Sequence, residues 1–401
     1  MAAKLATLAD AGLRLDDPLS QVGATPFYLA YHGRDDRPLM EALATLYRQV
    51  CPSLTYEAPH VAPGRARPDG RKTRVGFVST FFREHTVARL NENLIAKLPR
   101  DRFDVVVFDR LPRDLRAARQ SISAAELDIL YFTDIGMEPL TYFLAFARLA
   151  PIQCVSWGHP ATTGIPTLDR FVSSRLIEPD DAESHYSERL VQLDHLPSSV
   201  SAPEVSMDTG TGPVFLCSQS LFKLHPDFDS MIGRILERCP GAELLLLEGQ
   251  HAEWQRDLEA RWRRTIPNVV DRIRFAPRRA RAEFMALLGA SRVVLDTPHF
   301  CGGLSSFEAL VAGTPVVALP GAYMRSRVTL GLYRRMGMTD LVAQDADAYV
   351  EIAVRLARDE AFHAEMRRRI RTGVPALIDD PAPIAEHADL FETAMRRLGR
   401  L

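Results

Sequence analysis

Short apolar runs alternate with helical segments twice along this chain, and this alternation constrains its fold more than any other feature. One series begins at Val75 and the other at Val214. Strands that alternate with helices form parallel sheets in α/β units, because each helix carries the chain back to the same end of the sheet. The predicted strands cover residues 75–78, 105–108, 129–132, 153–157, 171–172, 190–191, 214–217, 243–247, 273–275, a run ending at 296, and 316–319.

The segments around the two series complete the predicted domain plan. Residues 1–60 read as a helical N-terminal extension, and Leu39, Leu43 and Leu46 fall on one helix face. The stretches 62–72 and 197–212 are linkers by composition. We therefore expect two α/β domains that face each other across a cleft, followed by a C-terminal helix that packs back. The predicted bounds are 72–200 for the N-terminal domain, 210–375 for the C-terminal domain and 376–401 for the last helix.

Composition excludes several classes of protein. A net charge of −2 argues against a nucleic-acid binder that works by bulk electrostatics. No apolar run approaches the ~20 residues of a membrane span, and the N-terminus lacks a signal segment. Five scattered cysteines without a close pair indicate a reducing compartment and no structural zinc. We expect a cytoplasmic protein with no nucleic-acid partner and no membrane insertion.

The segment DTPHFCGGLSSFEALVAGTPVVALPG, residues 296–321, reads as a strand, a glycine loop and a helix. A glycine loop that leads into a helix offers backbone N–H groups and the positive end of the helix dipole to an anion. Glu308, one turn into the helix, has a carboxylate that can accept hydrogen bonds from ribose hydroxyls. Phosphate and ribose ligands side by side predict a nucleotide-sugar. The alternative is that Gly302 and Gly303 only turn the chain between strand and helix.

Two further groups follow predicted strands of the second series. Lys223 lies where ligands bind open α/β sheets, and its charge can neutralise a departing diphosphate. The backbone near Arg279 and the ring of Phe284 can hold a uracil by its edge and its face. The alternatives are a solvated surface lysine and an ordinary core phenylalanine.

Two histidines follow strands of the first series. His85 stands at the start of a helix, and His159 stands in the sequence WGHPATTG. A histidine that faces a cleft can accept or donate a proton near neutral pH. Thr162, Thr163 and Gly164 can line an acceptor or sugar pocket. A capping or packing role is equally compatible with each histidine.

The sequence favours chemistry without a metal or cofactor. Asp345-Ala346-Asp347 has the DxD pattern of metal-dependent glycosyltransferases, yet it precedes a helix and reads as an N-cap. No other carboxylate pair is convincing, so the protein itself must supply positive charge. The GxSxG, P-loop and GxGxxG motifs are also absent, which disfavours hydrolase, kinase and dehydrogenase functions.

Taken in order, seven segments resemble the catalytic region of the protein O-GlcNAc transferase family and its bacterial Spindly-like relatives. The resemblance spans roughly residues 25–395. It implies a GT-B fold, with two Rossmann-like domains and the donor in the cleft between them. It also implies an inverting transfer of GlcNAc or a related hexose from a UDP-sugar to a protein side chain. The segments are RVGFVSTFFREH, APIQCVSWGHPATTG, HYSERLVQLDH, CSQSLFKLHP, RIRFAP, the segment 296–321 and SRV at 326–328.

The resemblance also assigns residues. By it, Lys223 contacts the diphosphate and His85 is the active-site histidine, and we add His159 as a third catalytic candidate. The GHPAT loop around His159 is similar to cytoplasmic N-glycosyltransferases, which modify asparagine. The implied donor-binding residues are Ser220, Arg279, Arg281, Phe284, Gly302, Gly303, Leu304, Ser305 and Glu308.

Several positions depart from the family pattern. The best-known members have Asp at Glu308, Gln near Ser220 and His at Phe284, a threonine pair where Leu304 and Ser305 stand, and a second histidine near Asp128. No tetratricopeptide array precedes the catalytic-looking region. These departures leave open the sugar, the acceptor atom and three alternatives. The alternatives are a catalytically silent nucleotide-binding scaffold, a transferase acting on a small molecule, and a nucleotide-sugar epimerase.

Overall fold

A computed structural model describes residues 2–62, 70–203 and 212–398. The chain divides into two compact units. The first comprises residues 1–30, 34–200 and 380–401, and the second comprises 31–33 and 201–379. Most of the predicted linker 62–72, and half of the linker 197–212, lie outside the described residues.

The first unit is built on a six-stranded parallel sheet of order β2-β1-β3-β4-β5-β6. Val75 of β1 lies opposite Val105 on one side and Ile129 on the other, which fixes the register of the central strands. Strands β3 and β4 are buried along their whole length, as expected where helices cover both faces. The strands are β1 (Thr73–Val78), β2 (Phe103–Phe108), β3 (Ile129–Phe132), β4 (Ile152–Ser156), β5 (Arg170–Ser174) and β6 (Arg189–Leu193).

Six helices of this unit precede or connect the strands. Most of the predicted N-terminal extension belongs to this unit, and its longest helix buries Leu43 and Leu46 on one face. Side chains cap the connecting helices: Asp114 accepts a hydrogen bond from Ala117 N at 2.7 Å. The helices are α1 (Ala2–Asp10), α2 (Pro18–Gln21), α3 (Arg37–Val50), α4 (Thr86–Lys97), α5 (Leu115–Ser123) and α6 (Pro139–Leu144).

The second unit is built on a five-stranded parallel sheet of order β11-β10-β7-β8-β9. The chain therefore reverses its direction of winding between β7 and β10, which are adjacent and parallel. The strands are β7 (Phe215–Cys217), β8 (Leu244–Leu247), β9 (Ile273–Ala276), β10 (Val293–Leu295) and β11 (Val316–Val317). The helices are α7 (Asp227–Arg238), α8 (Ala252–Thr265), α9 (Arg281–Ala290), α10 (Leu304–Val311), α11 (Val328–Arg335), α12 (Ala346–Arg358) and α13 (Glu360–Gly373).

The last helix, α14 (Ala382–Arg397), belongs to the first unit. Its apolar face, including Phe391 and Met395, packs into the core cluster that contains Phe77 and Tyr131 of the sheet. His387 is buried within this contact and lies 3.0 Å from the Tyr131 hydroxyl. The chain thus leaves the first unit after 200 and returns to it near 380.

Two predictions from the sequence are confirmed at this level. The fold is α/β, with two parallel sheets and helices as in GT-B proteins. Asp345 caps α12 by accepting from Ala348 N at 2.8 Å, and Asp347 forms an ion pair with Arg234 at 2.8 Å. Within the described ranges, no helix is both long and apolar enough to cross a membrane.

Candidate functional site

The carboxyl ends of β7 and β10 define the candidate site in the second unit. These neighbouring strands are the point at which the strand order reverses. Ligands of open α/β sheets bind outside the carboxyl ends of the strands at such a point, because the loops diverge there and leave a crevice. The loop after β7 carries Lys223, and the loop after β10 carries Gly302 and Gly303.

Lys223 lies against the glycine loop rather than in solvent. Its Nζ donates to Gln219 Oε1 at 2.9 Å and to the Cys301 carbonyl at 3.2 Å. The ammonium group also lies 4.5 Å from the centre of the Phe300 ring. Burial lowers the pKa of Lys223, and the nearby Cys301 and Asp296 side chains oppose that shift. The structure therefore brings Lys223 and the loop together, and contact with a diphosphate remains the predicted role.

Gln219 links the two loops, and the sequence analysis missed it. Its side chain is buried, and its Nε2 donates to Ser305 Oγ at 3.0 Å. Ser220 is exposed at the start of the short 3-10 helix Leu221–Lys223, and it makes no side-chain cap there. The glutamine that the family pattern places near Ser220 was the available signal, since Gln219 is the adjacent residue.

Asp296 organises the glycine loop from within. Its buried carboxylate accepts from Gly302 N at 2.7 Å and Thr297 N at 3.0 Å, and from the Thr329 hydroxyl. Burial raises the pKa of Asp296, whereas these hydrogen bonds lower it. The Gly302 N–H thus donates to Asp296. Within the predicted donor site, Gly302 therefore shapes the loop.

Close packing explains why residue 302 is glycine. A Cβ there would lie 2.2 Å from Ser306 Oγ, 2.6 Å from Gln219 Nε2 and 2.8 Å from Ser305 Oγ. A Cβ at Gly303 would meet no atom within 4 Å. The two glycines therefore differ: only the first is required by its neighbours.

The N-terminus of α10 is the predicted anion-binding element of the site. Gly303 is the N-cap and has no side chain to occupy the first N–H groups, which also lack partners within the helix. The helix dipole adds positive potential at this end. The Leu304 side chain is buried, so this residue can offer only its backbone, whereas Ser305 offers a hydroxyl as well. With Lys223, these groups make up the predicted anion cradle, which consists of Lys223, Gly303, Leu304 and Ser305, with Gln219 and Gly302 holding them in place.

Arg281 and Glu308 form an ion pair beside this cradle. Arg281 begins α9, and its Nη1 lies 2.8 Å from Glu308 Oε1 on α10. Burial raises the pKa of Glu308, and Arg281 lowers it. Arg279 is exposed, and Phe284 is partly buried in the first turn of α9. Three of the four residues predicted to hold uridine thus lie at or just before the start of α9, and the fourth, Glu308, lies on α10. Their roles remain predictions.

His85 caps α4 in the first unit. Its Nδ1 accepts from Val87 N at 3.3 Å, and its ring lies 4.5 Å from that of Phe81. Burial lowers the pKa of His85, and the charge of Arg83 lowers it further. Capping is therefore present. In the neutral ring Nδ1 is the acceptor nitrogen, so His85 would accept a proton at Nδ1 in place of the contact with Val87 N.

His159 and its loop are buried in this unit. The His159 ring is 2% exposed and hydrogen-bonds the Ile135 carbonyl through Nδ1. Thr162 and Thr163, predicted to line a pocket, are buried and donate to the carboxylate of Glu188 instead. The catalytic role of His159 remains a prediction, and its burial fits the packing alternative.

Asp134 is a second residue that the sequence analysis missed. It follows β3, and Ser79, which follows the adjacent β1, donates its hydroxyl to the Asp134 carboxylate. These strands mark the reversal of strand order in the first sheet. Burial raises the pKa of Asp134 to about 7. Its place at the carboxyl end of a predicted strand was the signal for it.

The sequence of this chain is similar to those of known glycosyltransferases. Residues 210–375 match the family described as Glycosyl transferase family 41. A UDP-glucose:protein N-beta-glucosyltransferase of Actinobacillus pleuropneumoniae is 26% identical over 71% of this chain and 48% of its own length. A probable UDP-N-acetylglucosamine–peptide N-acetylglucosaminyltransferase SPINDLY of Solanum lycopersicum is 26% identical over 56% of this chain and 25% of its own length. The matched part of this chain thus covers about half the length of the first relative and about a quarter of the second.

A solved structure extends the likeness across both units. An O-GlcNAc transferase of Thermobaculum terrenum, in a mutant form, superposes with a TM-score of 0.76 and 25% identity. The alignment covers 93% of this chain and 76% of that protein. The resemblance to protein O-GlcNAc transferases and Spindly-like glycosyltransferases is therefore confirmed, and residues 210–375 carry the match to glycosyl transferase family 41.

Proposed function

We propose that this chain is an inverting, metal-independent glycosyltransferase that moves GlcNAc or a related hexose from a UDP-sugar to a protein side chain. The relatives named above act, by their names, with UDP-glucose or UDP-N-acetylglucosamine on proteins or peptides. The observation that carries the proposal is the position of Lys223 beside the uncapped N-terminus of α10, at the strand-order reversal of the second sheet.

This cradle supplies the positive charge that the reaction needs. Transfer breaks the bond between the anomeric carbon and the diphosphate, and negative charge develops on the departing UDP. The Lys223 ammonium and the first N–H groups of α10 stabilise that charge where it forms. They are fixed before the reaction, since Gln219, Cys301 and Phe300 hold the ammonium in place. A metal ion is therefore not required for this step.

The acceptor must lose a proton as its oxygen or nitrogen attacks the anomeric carbon from the opposite face. His85 is kept neutral by burial, and the Asp134 carboxyl has a pKa near 7. Either group can accept a proton at neutral pH. Ser, Thr or Asn is the proposed acceptor residue, and the cytoplasm is the proposed compartment because all five cysteines are free thiols.

The test compares Lys223→Ala with Lys97→Ala, an exposed lysine of α4. Sugar transfer and UDP release would be measured with UDP-glucose and UDP-GlcNAc, with and without added Mg²⁺ or Mn²⁺. We expect Lys223→Ala to lower kcat/KM at least hundredfold, Lys97→Ala to change it less than twofold, and the added ions to have no effect. Near-wild-type turnover of Lys223→Ala would refute the diphosphate role, and turnover that requires Mg²⁺ or Mn²⁺ would refute metal independence.

A silent nucleotide-binding scaffold is the second candidate. The buried Leu304 favours it, because its apolar side chain stands where the family offers a hydroxyl to the phosphates. A thermal-shift screen against UDP-, GDP- and dTDP-sugars identifies the ligand, since ligands that bind the folded state raise its melting temperature. UDP binding without hydrolysis, transfer or epimerisation of any UDP-sugar would establish the scaffold and exclude the enzyme.

A further inference from the structure

Three side chains of the second unit converge in a way that the transferase proposal does not use. His225 follows Lys223 by two residues, Asp227 begins α7, and His299 lies in the loop after β10. One ring nitrogen of each histidine and one carboxylate oxygen of Asp227 all lie within 4.8 Å of one another. The two rings meet edge to face, with centroids 4.5 Å apart.

Two of the three distances between ligand atoms are close to those found around one metal ion. Asp227 Oδ2 lies 2.8 Å from His299 Nε2 and 3.4 Å from His225 Nδ1. Bonds of about 2.0 Å in tetrahedral geometry place ligand atoms about 3.3 Å apart. His225 Nδ1 also accepts a hydrogen bond from Asp227 N at 3.3 Å. This bond is long and therefore weak, so replacing it with a bond to a metal ion would cost little free energy.

The backbone is shaped to hold His299 in this place. His299 adopts φ of +64°, a conformation that a residue with a side chain rarely takes. Gly33 lies against its ring: a Cβ at residue 33 would be 2.3 Å from His299 Nδ1, and Gly33 itself has φ of +64°. Unusual backbone that positions a polar side chain marks functional sites more often than ordinary loops.

We propose that His225, Asp227 and His299 bind one divalent transition-metal ion of the Zn²⁺ class, with water completing the coordination. Two imidazoles and one carboxylate are the donor set that Zn²⁺, Co²⁺ and Ni²⁺ take, whereas Mg²⁺ and Ca²⁺ prefer oxygen ligands. All three side chains are partly exposed, so an ion can reach them.

The ion would join two segments that border the anion cradle. Asp227 belongs to the helix after Lys223, and His299 precedes Phe300, whose ring lies under the Lys223 ammonium. Coordination would therefore restrain the loop around the Lys223 side chain. Its role is structural, since no ligand atom belongs to the cradle itself.

The test measures metal binding by the full chain without any donor. Protein treated with chelator and dialysed would be titrated with Zn²⁺ by competition against a chromophoric chelator, and with Co²⁺ by its visible absorption. The site variants are His299→Asn, which tolerates the left-handed backbone, and His225→Gln. The matched control is His251→Asn, an exposed histidine of the same unit.

We expect one Zn²⁺ per chain, visible Co²⁺ bands, no competition by Mg²⁺, and affinity at least tenfold lower in both site variants but not in the control. Absence of stoichiometric Zn²⁺ binding, or equal affinity in the site variants and the control, would overturn the proposal. Circular dichroism verifies that each variant is folded. If one of the two site variants does not fold, the other still tests the proposal. Because the assay contains no sugar donor, its outcome is independent of whether the chain is a transferase.

Discussion

The side-chain amide of Gln219 donates to Ser305 Oγ at 3.0 Å. This contact joins the loop after β7 to the first turn of α10 across the strand-order reversal of the second sheet. The other end of the same side chain accepts from Lys223 Nζ at 2.9 Å. One buried glutamine thus sets the distance between the cation and the helix N-terminus that we propose to bind the anion together.

The first prediction concerns this glutamine. Gln219→Leu keeps the side-chain volume but removes both hydrogen bonds, so Lys223 and Ser305 lose their common partner. We expect kcat/KM for the UDP-sugar to fall at least tenfold, with a smaller change in melting temperature. Gln120→Leu, at an exposed glutamine of α5, should change kcat/KM less than twofold. Equal effects of the two variants in steady-state assays would show that the glutamine does not position the site.

The second prediction uses the two glycines of the loop. Gly302→Ala places a Cβ within 2.2 Å of Ser306 Oγ, so the loop must shift away from α10. Gly303→Ala meets no atom within 4 Å and costs only the small preference of an N-cap for glycine over alanine. We expect calorimetry to show UDP affinity reduced at least tenfold by Gly302→Ala and less than threefold by Gly303→Ala. The reverse order would contradict the assignment.

The order of strands and helices could be predicted because parallel strands in α/β units are continuous apolar runs. Residues 129–132 and 293–295 are buried throughout and stand out for that reason. The helix α6 (Pro139–Leu144) was not predicted, because it is short and buried on nearly all sides, which removes the periodicity that identifies a helix. For helices, the hydrophobic pattern therefore identifies those with one solvent-exposed face better than those that are buried on nearly all sides.

The candidate site could be predicted only in part, for a physical reason. Lys223 and the glycine loop were found because charge and backbone freedom are visible in single residues. Gln219 and Asp296 act by hydrogen bonds to groups 86 and 6 residues away, and such partners depend on the folded sheet. The histidines of the proposed metal site are likewise brought together by the loops after two strands. The sequence indicated the charged and backbone groups proposed to bind the ligand. The structure adds the side chains that hold those groups in position.

The third prediction concerns the Arg281–Glu308 pair. Arg281→Met leaves the buried Glu308 carboxylate without its cation, so we expect a loss of about 1–3 kcal/mol, reduced from that of a fully buried pair because Arg281 is partly exposed. Adding Glu308→Gln should restore most of this loss, since a neutral amide tolerates burial. Denaturant unfolding of the two single variants and the double variant measures the coupling. Strictly additive losses would mean that the two groups do not interact.

The fourth prediction is a pH dependence of stability. The pKa of Asp134 is about 7 in the folded protein, against about 3.9 for an unfolded chain. Below pH 4 both states are protonated, and the neutral carboxyl is tolerated. As pH rises from 4 to 7 the unfolded state ionises while the folded state stays protonated, so stability falls. Above pH 7 both ionise and the loss levels off at roughly 4 kcal/mol.

Asp134→Asn isolates this effect, because the amide fits the same space and does not ionise. We expect the melting temperature of the wild-type protein to fall relative to the variant between pH 4 and pH 8. Ser79→Ala should enlarge the fall, since the Ser79 hydroxyl stabilises the ionised carboxylate. A constant difference between wild type and Asp134→Asn over this range would show that the Asp134 carboxyl has an ordinary pKa.

The last prediction separates the two roles of His85. Asparagine is a good N-cap, so His85→Asn should keep the contact with Val87 N and the stability of α4, whereas His85→Ala should lose about 1 kcal/mol. If the imidazole accepts the acceptor's proton, both variants lose at least tenfold in kcat/KM at neutral pH. They should also lose the acidic limb of the pH profile, because that limb reports protonation of the imidazole. Burial and the charge of Arg83 lower the pKa of His85, so this limb lies below the usual range of a histidine. A His85→Asn enzyme with the wild-type rate and profile would confine His85 to capping, and Asp134 would then be the remaining proton acceptor at the reversal of the first sheet.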